Sequence, residues 1–214
     1  MRVTARLVLA TANPGKVREL TALLDGLGYA ISSLVAYPTV RLPPEGTTSY
    51  AENARAKARA TTASLTEVVA IGDDSGLEVD LLSGRPGVAS AGYGGPGLHD
   101  AERVARLLAE VANVGAASGT GALGRTARFR CVLALVAPWG AEAMVEGTVE
   151  GVLAEAPRGA EGFGYDPIFV LPSLGRTMAV LGPDDKAAWS HRGRAARAAR
   201  PILAAWVRRV DPSR

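Results

Sequence analysis

The chain has 214 residues, of which 48% are hydrophobic and 21% charged. That composition is typical of a globular protein and excludes a disordered or fibrous chain. The length allows a substantial buried core, and we expect one domain over residues 1–214. A net charge of +3 permits anionic partners without identifying one.

Cysteine usage and apolar runs indicate the compartment. The single cysteine, Cys131, cannot form an internal disulfide, and its surroundings "FRCVLALV" favour a small core residue over a nucleophile. The longest apolar run, Cys131 to Pro138, has eight residues and is too short to span a bilayer. The N-terminal "RLVLA" meets the polar turn "TANPGK" at once, which does not fit a signal peptide. We therefore expect a cytoplasmic protein without a membrane partner.

The first third of the chain predicts strands alternating with helices. Apolar periodicity and turn residues predict a strand at Val3–Ala10, a turn at Asn13–Gly15, a helix from Lys16 to Gly28, and a strand at Tyr29–Leu34. After a proline-rich loop, "SYAE" from Ser49 fits a capping box that opens an alanine-rich helix to about Ser64.

The remaining chain continues this alternation. The predicted elements are a strand at Val68–Gly72 ending at an acidic pair, a helix capped by Asp100, a loop at Asn113–Arg125, strands at Ala127–Ala137, Met144–Leu153 and Tyr165–Val170, and C-terminal helices. The pattern predicts an α/β fold, and the adjacent strands near the middle predict a mixed sheet.

The C-terminal tail is rich in arginine, with seven of these residues after Ser190. Ala195, Ala199, Ile202 and Trp206 recur at helical steps, which favours a helix with a solvated basic face. The alternative is a nucleic-acid stripe, but no aromatic residues interleave with the arginines. We expect no nucleic-acid partner.

Lysine is rare in this chain, which has 21 arginines but only Lys16, Lys57 and Lys186 as lysines. A retained lysine suggests a task that a guanidinium cannot perform. Lys16 follows a strand-to-helix turn, where backbone N–H groups and the helix dipole favour phosphate. Lys57, on the alanine-rich helix, has a plain structural interpretation. "TANPGK" does not match the common phosphate loop, so a structural turn remains an alternative.

Two carboxylates stand together at Asp73 and Asp74, followed by Ser75. Neighbouring carboxylates repel unless a cation or hydrogen-bond donors offset their charge. Mg²⁺ suits such a place, because it is usually held by one or two carboxylates together with substrate phosphates. The alternative is that one aspartate caps a turn while the other is solvated.

Two further stretches carry polar and aromatic groups. In "GFGYDP", Phe163 could stack on a nucleobase beside the carboxylate of Asp166, although a tight turn explains the glycines equally well. In "KAAWSHRGRA", Lys186, His191 and Arg192 form a donor cluster suited to phosphate or a carbonyl oxygen.

Six stretches along nearly the whole chain resemble, in order, those of the inosine triphosphate pyrophosphatase family. They are "TANPGKVREL", "SYAENARAKA", "DDSGLEVDLLSGRPGVASAGY", "FRCVLAL", "GFGYDPIF" and "SHRGRA". The resemblance implies a mixed α/β protein with an elongated central sheet flanked by helices, usually a homodimer. It also implies Mg²⁺-dependent hydrolysis of non-standard purine nucleoside triphosphates (ITP, dITP and XTP) to the monophosphate and pyrophosphate.

The same resemblance implies roles for individual residues. Asp74 is expected to act as proton acceptor and Mg²⁺ ligand, and Glu45 as a second acidic group near the metal. Residues expected to bind the nucleotide are Thr11, Ala12, Asn13, Pro14, Gly15 and Lys16, with Lys16 on the phosphates. Ser75 is expected to be a further substrate contact, and the residues expected around the base are Phe163, Gly164, Tyr165, Asp166, Lys186, His191 and Arg192. Donors such as Arg192 would favour the 6-oxygen of hypoxanthine over the 6-amine of adenine.

Three positions depart from the family pattern. "SAGY" places Gly92 where many bacterial members have arginine, "MAVL" places Val180 where glutamate is common, and "EGTTS" alters the pattern around Glu45. Two alternatives to the leading hypothesis remain: a related nucleotide pyrophosphatase with another base preference, and a non-catalytic nucleotide- or nucleic-acid-binding module.

Overall fold

A computed structural model describes residues 5–119 and 124–210. The strands are β1 Arg6–Leu9, β2 Ala30–Ser33, β3 Val68–Val79, β4 Thr126–Val136, β5 Glu142–Leu153, β6 Phe169–Leu171 and β7 Arg176–Thr177. The α-helices are α1 Pro14–Leu24, α2 Tyr50–Ser64, α3 Asp100–Ser118, α4 Pro183–Trp189 and α5 His191–Val210. No helix within these ranges has the length and apolar character needed to cross a bilayer.

The seven strands form one sheet in the order β2-β1-β3-β4-β5-β6-β7. Strand β1 pairs in parallel with both β2 and β3, whereas β6 pairs antiparallel with β5 and β7. This confirms the predicted α/β class and mixed sheet. Internal contacts divide the chain into two compact units, and the prediction of a single domain over residues 1–214 stays a prediction.

Unit 1 comprises the described parts of residues 1–74, 131–147 and 191–214. Its core is built from strand residues such as Leu7 and Leu133, which pack with Leu20 of α1 and Ala199 of α5. Small residues along α5 allow this helix to pack closely. The tail is therefore a helix with a buried apolar face, as predicted, while Arg194 and Arg197 are exposed.

Unit 2 comprises the described parts of residues 75–130 and 148–190. The apolar face of α3, including Val104 and Leu107, packs in a core with Leu77 and with the aromatic pair Phe129 and Phe169. The two ring centres lie 4.5 Å apart. This core holds α3 in place. Asp100, the first residue of α3, contacts the loop that contains Gly164.

The prediction that a strand ends at Gly72 was wrong, because β3 continues through the acidic pair to Val79. After the aspartates, Leu77 and Val79 are fully buried. The strand therefore contributes apolar side chains to the protein core both before and after Asp73 and Asp74. Asp73 and Asp74 consequently lie within the strand and not beyond its end.

Other boundaries also differ from the predictions. Helix α3 is capped by His99, with Asp100 as its first residue, and extends to Ser118 because its alanines favour helix over the expected loop. The rest of the predicted loop includes residues 120–123, which lie outside the described ranges, as do Val3 and Thr4 of the first predicted strand. In place of a strand from Tyr165, a 3₁₀ turn precedes the short β6.

Helix α2 lies so close to β3 that only glycine fits at position 72. A Cβ atom there would overlap the carbonyl oxygen of Ala54 and lie 2.9 Å from its carbonyl carbon. We expect Gly72→Ala to reduce the free energy of unfolding by about 1–3 kcal/mol or more, since a backbone cannot yield as a side chain does. Chemical denaturation measures this difference.

Gly92→Ala is the matched control, because a Cβ at Gly92 would meet no atom within 4 Å. We expect its free energy of unfolding to change by less than about 0.5 kcal/mol. Equal destabilisation by both substitutions would contradict the close contact between α2 and β3.

Candidate functional site

The turn between β1 and α1 is organised by its own polar side chains. The Oδ1 atom of Asn13 accepts a hydrogen bond from the backbone N–H of Lys16 at 3.1 Å, and Thr11 Oγ1 accepts from the N–H of Asn13 at the same distance. Pro14 occupies the first turn of the helix, where its missing N–H costs nothing. Ala12 is exposed and Gly15 is buried. The sequence therefore builds a capped helix N-terminus directly after a strand.

Asp73 is a buried carboxylate held by two cations of unit 1. Its Oδ1 accepts from Lys16 Nζ at 2.6 Å and its Oδ2 from Arg192 Nε at 2.7 Å. Burial opposes ionisation, but Arg192 and Lys16 together hold the pKa of Asp73 well below its usual range. Asp73 is therefore ionised, and it fixes the position of the Lys16 ammonium.

Arg192 extends this set of charges to Glu19, whose Oε2 accepts from the guanidinium at 2.6 Å. The arginine is 1% exposed. Glu19, Arg192, Asp73 and Lys16 thus form a chain of alternating charge. Arg192 had been expected among the groups that surround the base; the structure brings it together with Asp73, and its role toward a base stays a prediction.

Cys131 lies beside this chain, with its Sγ atom 3.7 Å from Asp73 Oδ2. Burial and the neighbouring carboxylate raise the pKa of the thiol well above its ordinary value. The thiol is fully buried, which confirms the interpretation of Cys131 as a small core residue.

Asp74 has a different set of partners. Its Oδ1 accepts from Lys57 Nζ at 3.1 Å and its Oδ2 from Asn53 Nδ2 at 3.0 Å. Burial raises the pKa of Asp74 above its ordinary value, because the attraction of Lys57 only partly offsets the loss of solvation. The adjacent aspartates thus have pKa values shifted in opposite directions, an arrangement typical of groups with different chemical roles.

Lys57 contacts the carboxylates of both Glu45 and Asp74 from its place on α2. Its ammonium donates to Glu45 Oε1 at 2.5 Å, to the backbone oxygen of Asp73 at 2.9 Å and to Asp74. Only 5% of the residue is exposed. The rarity of lysine in the sequence was the one signal that pointed to Lys57.

Asn53 is a second residue of α2 that the sequence analysis missed. Besides contacting Asp74, its side chain bonds both the N–H and the carbonyl of Gly46, at 2.8 and 3.0 Å. The loop that carries Glu45 is thereby tied to α2. Because Asn53 and Lys57 are four residues apart, they lie on one helix face.

The carboxylates of Asp74 and Glu45 can be tested as a cation site. Across residues 5–119 and 124–210, no group of three or more His, Cys, Asp and Glu side chains is arranged to hold a metal ion. Oxygens of Asp74 and Glu45 are nevertheless at most 5.6 Å apart, because they bond the same ammonium at 3.1 and 2.5 Å. Two oxygen donors fit Mg²⁺, which commonly takes one or two carboxylates and completes its shell with water and phosphate.

In unit 2, the loop at Phe163–Asp166 is closed around a buried carboxylate. Asp166 Oδ2 accepts from the N–H of Phe163 at 2.8 Å and from Lys186 Nζ at 2.5 Å. The same ammonium lies 5.2 Å from the centre of the Phe163 ring. Tyr165 donates its hydroxyl proton to the backbone oxygen of Ser90 at 3.0 Å. The loop thus presents a ring, a carboxylate and an ammonium together.

Gly162 is required by this arrangement. A Cβ atom there would overlap Asp166 Oδ2 and lie 2.7 Å from Lys186 Nζ, and its φ of +83° also favours glycine. His191 is buried at the start of α5 in unit 1, and Ser75 is half-buried directly after Asp74. The structure therefore brings Lys186 together with the loop, and places His191 and Arg192 in unit 1.

Comparisons with known proteins cover almost the whole chain. Residues 7–202 match the model of the Ham1 family. The chain is 48% identical over 189 residues to the dITP/XTP pyrophosphatase of Geobacillus kaustophilus, which covers 88% of this chain and 89% of that protein. It is 47% identical over 193 residues to the dITP/XTP pyrophosphatase of Thermus thermophilus. That alignment covers 90% of this chain and 89% of the Thermus protein.

Solved structures give the same result. A HAM1 protein from Coxiella burnetii matches with a TM-score of 0.77 and 36% identity, over 93% of this chain and 98% of that one. A nucleoside-triphosphatase, or dITP/XTP pyrophosphatase, from Mycobacterium abscessus matches with a TM-score of 0.69 and 41% identity, over 90% and 97%. The chain described here belongs to the Ham1 family.

Proposed function

We propose that this protein hydrolyses non-standard purine nucleoside triphosphates (ITP, dITP and XTP) to the monophosphate and pyrophosphate, and so removes them from the nucleotide pool. The observation that carries the proposal is the pair Asp73 and Asp74. Asp73 fixes the ammonium of Lys16 at the N-terminus of α1, and the pKa of Asp74 is raised above its ordinary value. The names of the relatives support the same activity.

The turn from Thr11 to Lys16 is the proposed phosphate-binding element. Helix N-termini attract anions through their free N–H groups and their dipole, and Lys16 adds a full positive charge. Because Asp73 holds the ammonium at 2.6 Å, Lys16 is pre-positioned and little entropy is lost when a phosphate binds. Ser75 is proposed as a further substrate contact.

Asp74 is the proposed proton acceptor for the attacking water. A carboxylate with a raised pKa is a stronger base than an ordinary one, and Lys57 and Asn53 orient it through one bond to each oxygen. Asp74 and Glu45 would hold Mg²⁺, which supplies neutralisation of the triphosphate charge. Lys57 keeps both carboxylates in place.

The loop at Phe163–Asp166 is the proposed base-binding element. Phe163 offers a face for stacking on a purine, and Lys186 offers only donors. Hypoxanthine and xanthine present an acceptor at the purine 6 position, whereas adenine presents an amine. A donor facing that amine is left unpaired, which costs about 1–3 kcal/mol. Tyr165, Gly164 and His191 are proposed to complete this recognition, and the Arg192 variant below tests whether that arginine takes part.

We also propose a cytoplasmic homodimer without a nucleic-acid partner. The buried free thiol supports a reducing compartment, and the exposed arginines on α5 belong to an amphipathic helix whose aromatic residue, Trp206, packs against the core of unit 1. Size-exclusion chromatography with light scattering tests the dimer directly.

The experiment that tests the function is pyrophosphate release from a nucleotide panel, with and without Mg²⁺. We expect rapid release from dITP, ITP and XTP and slow release from dATP and modified pyrimidine triphosphates. Preference for a pyrimidine would establish the alternative base specificity. Polynucleotide affinity with a steep salt dependence and no pyrophosphate release would establish the binding module instead.

Asp74→Asn should lower kcat on dITP by about a hundredfold or more, because the amide cannot accept the proton of water. The variant should stay folded, but its thermal midpoint should fall, because the amide NH2 must face a donor of Lys57 or Asn53. Steady-state kinetics at saturating Mg²⁺ measure the effect. A near-normal kcat would show that Asp74 has another role.

Lys16→Ala should raise KM for dITP and lower kcat, because the ammonium interacts more strongly as charge shifts onto phosphate oxygens in the transition state. Arg18→Ala is the matched control, since it removes an exposed cation from the same helix. Lys57 cannot serve as a control, because it contacts Asp74 and Glu45. Equal losses in the Lys16 and Arg18 variants would assign the effect to general surface charge.

Arg192→Ala should reduce the free energy of unfolding by about 3–5 kcal/mol, because it leaves the buried carboxylate of Asp73 without one of its two cations. We expect dITP and dATP activities to fall together, since Asp73 positions Lys16 for any triphosphate. Thermal unfolding and specificity constants for both nucleotides check this result. If the specificity constant for dITP falls more than that for dATP while the free energy of unfolding is unchanged, Arg192 contacts the base.

A further inference from the structure

The loop at Phe163–Asp166 has two successive amides that are held by two different carboxylates. The N–H of Phe163 donates to Asp166 Oδ2 at 2.8 Å, and the N–H of Gly164 donates to Asp100 Oδ2 at 2.7 Å. Asp166 belongs to the loop, whereas Asp100 is 64 residues away in the chain. The loop is therefore held both from within and by an outside element.

Asp100 is well placed to act as a fixed acceptor. It is the first residue of α3, a 19-residue helix whose Val104 and Leu107 are buried in the core of unit 2. The helix dipole favours a carboxylate at this end. Its Oδ1 accepts from the guanidinium of Arg103 at 3.3 Å, so one oxygen is oriented by the helix while the other reaches the loop.

Gly164 needs an outside partner more than other residues of the loop do. Its φ is +61°, and a Cβ atom there would meet no atom within 4 Å. Glycine has access to many backbone conformations, so its own sterics do not select this one. Two described hydrogen bonds hold it: the N–H of Asp166 donates to the carbonyl of Phe163 at 3.3 Å across the turn, and the N–H of Gly164 donates to Asp100 from outside the loop. The orientation of the peptide between Phe163 and Gly164 follows, and with it the position of the Phe163 ring.

We propose that Asp100 is a positioning residue for base binding, which acts through the Gly164 amide to hold Phe163 in place. The inference rests on the proposed function of this loop. The described bonds of Asp100 are to Arg103 and Gly164, which both belong to unit 2. Its loss should therefore weaken nucleotide binding without slowing the chemical step.

The test compares Asp100→Ala with Asp100→Asn and Glu102→Ala. Asparagine keeps an oxygen acceptor for the Gly164 N–H. Glu102 is a first-turn carboxylate of the same helix, but it accepts from the N–H of His99 at 2.7 Å. For Asp100→Ala we expect KM for dITP to rise about tenfold, the effect of losing one charge-assisted hydrogen bond, with kcat within about twofold. Asparagine should recover most of the loss.

Hydrogen–deuterium exchange gives a readout that does not depend on activity. The amides of residues 162–166 should exchange faster in Asp100→Ala than in the unmodified protein. In Glu102→Ala their exchange rates should be the same as in the unmodified protein. An unchanged KM or unchanged loop exchange in Asp100→Ala would overturn the inference. So would an equal rise in KM in Glu102→Ala, because it would assign the effect to the stability of α3.

These outcomes are distinct from failure of the proposed function. If the unmodified protein does not hydrolyse dITP, the proposed function is wrong whatever the variants do, and the exchange experiment still decides whether Asp100 holds the loop. If the unmodified protein hydrolyses dITP and Asp100→Ala keeps its KM, only the positioning role is lost.

Discussion

The structure depends on how two adjacent carboxylates are compensated by different hydrogen-bonded cations, Lys16 and Arg192 for Asp73 and Lys57 for Asp74. Successive residues of a strand point to opposite faces, so Asp73 and Asp74 diverge although they are neighbours in sequence. One carboxylate meets cations from α1 and α5, and the other meets the amide and ammonium of α2. The repulsion expected from like charges is avoided, and three helices are placed by the residues of one strand.

The same divergence separates two chemical tasks. A carboxylate with two full cations remains ionised under all ordinary conditions and serves as a fixed anchor. A carboxylate with a single cation and an amide is less completely compensated, and that difference leaves it available to accept a proton or to contact a metal ion. Because both belong to β3, any shift of the strand changes the two environments together.

The class of fold and many elements followed from the sequence, because apolar periodicity and caps such as Ser49 report local structure directly. The continuation of β3 could not be predicted from the sequence. Two adjacent aspartates indicate the end of a buried strand unless the cations that pair with them are known. The role of Lys57 was missed for the same reason. Its neighbours in sequence are alanines, and the carboxylates that it contacts lie 12 and 17 residues away in the chain. Charge pairing over such separations becomes visible only when the fold is known.

The close approach at Gly72 has a consequence for how the site responds to heat. Where a helix and a sheet are separated by layers of side chains, thermal agitation of those side chains changes the spacing between the two elements. Here the backbone of α2 lies against the backbone of β3 at Ala54 and Gly72, between the turns that carry Asn53 and Lys57. The distance from these side chains to Asp74 is thus set by main-chain contact, and it expands less with temperature than a spacing filled by rotatable groups.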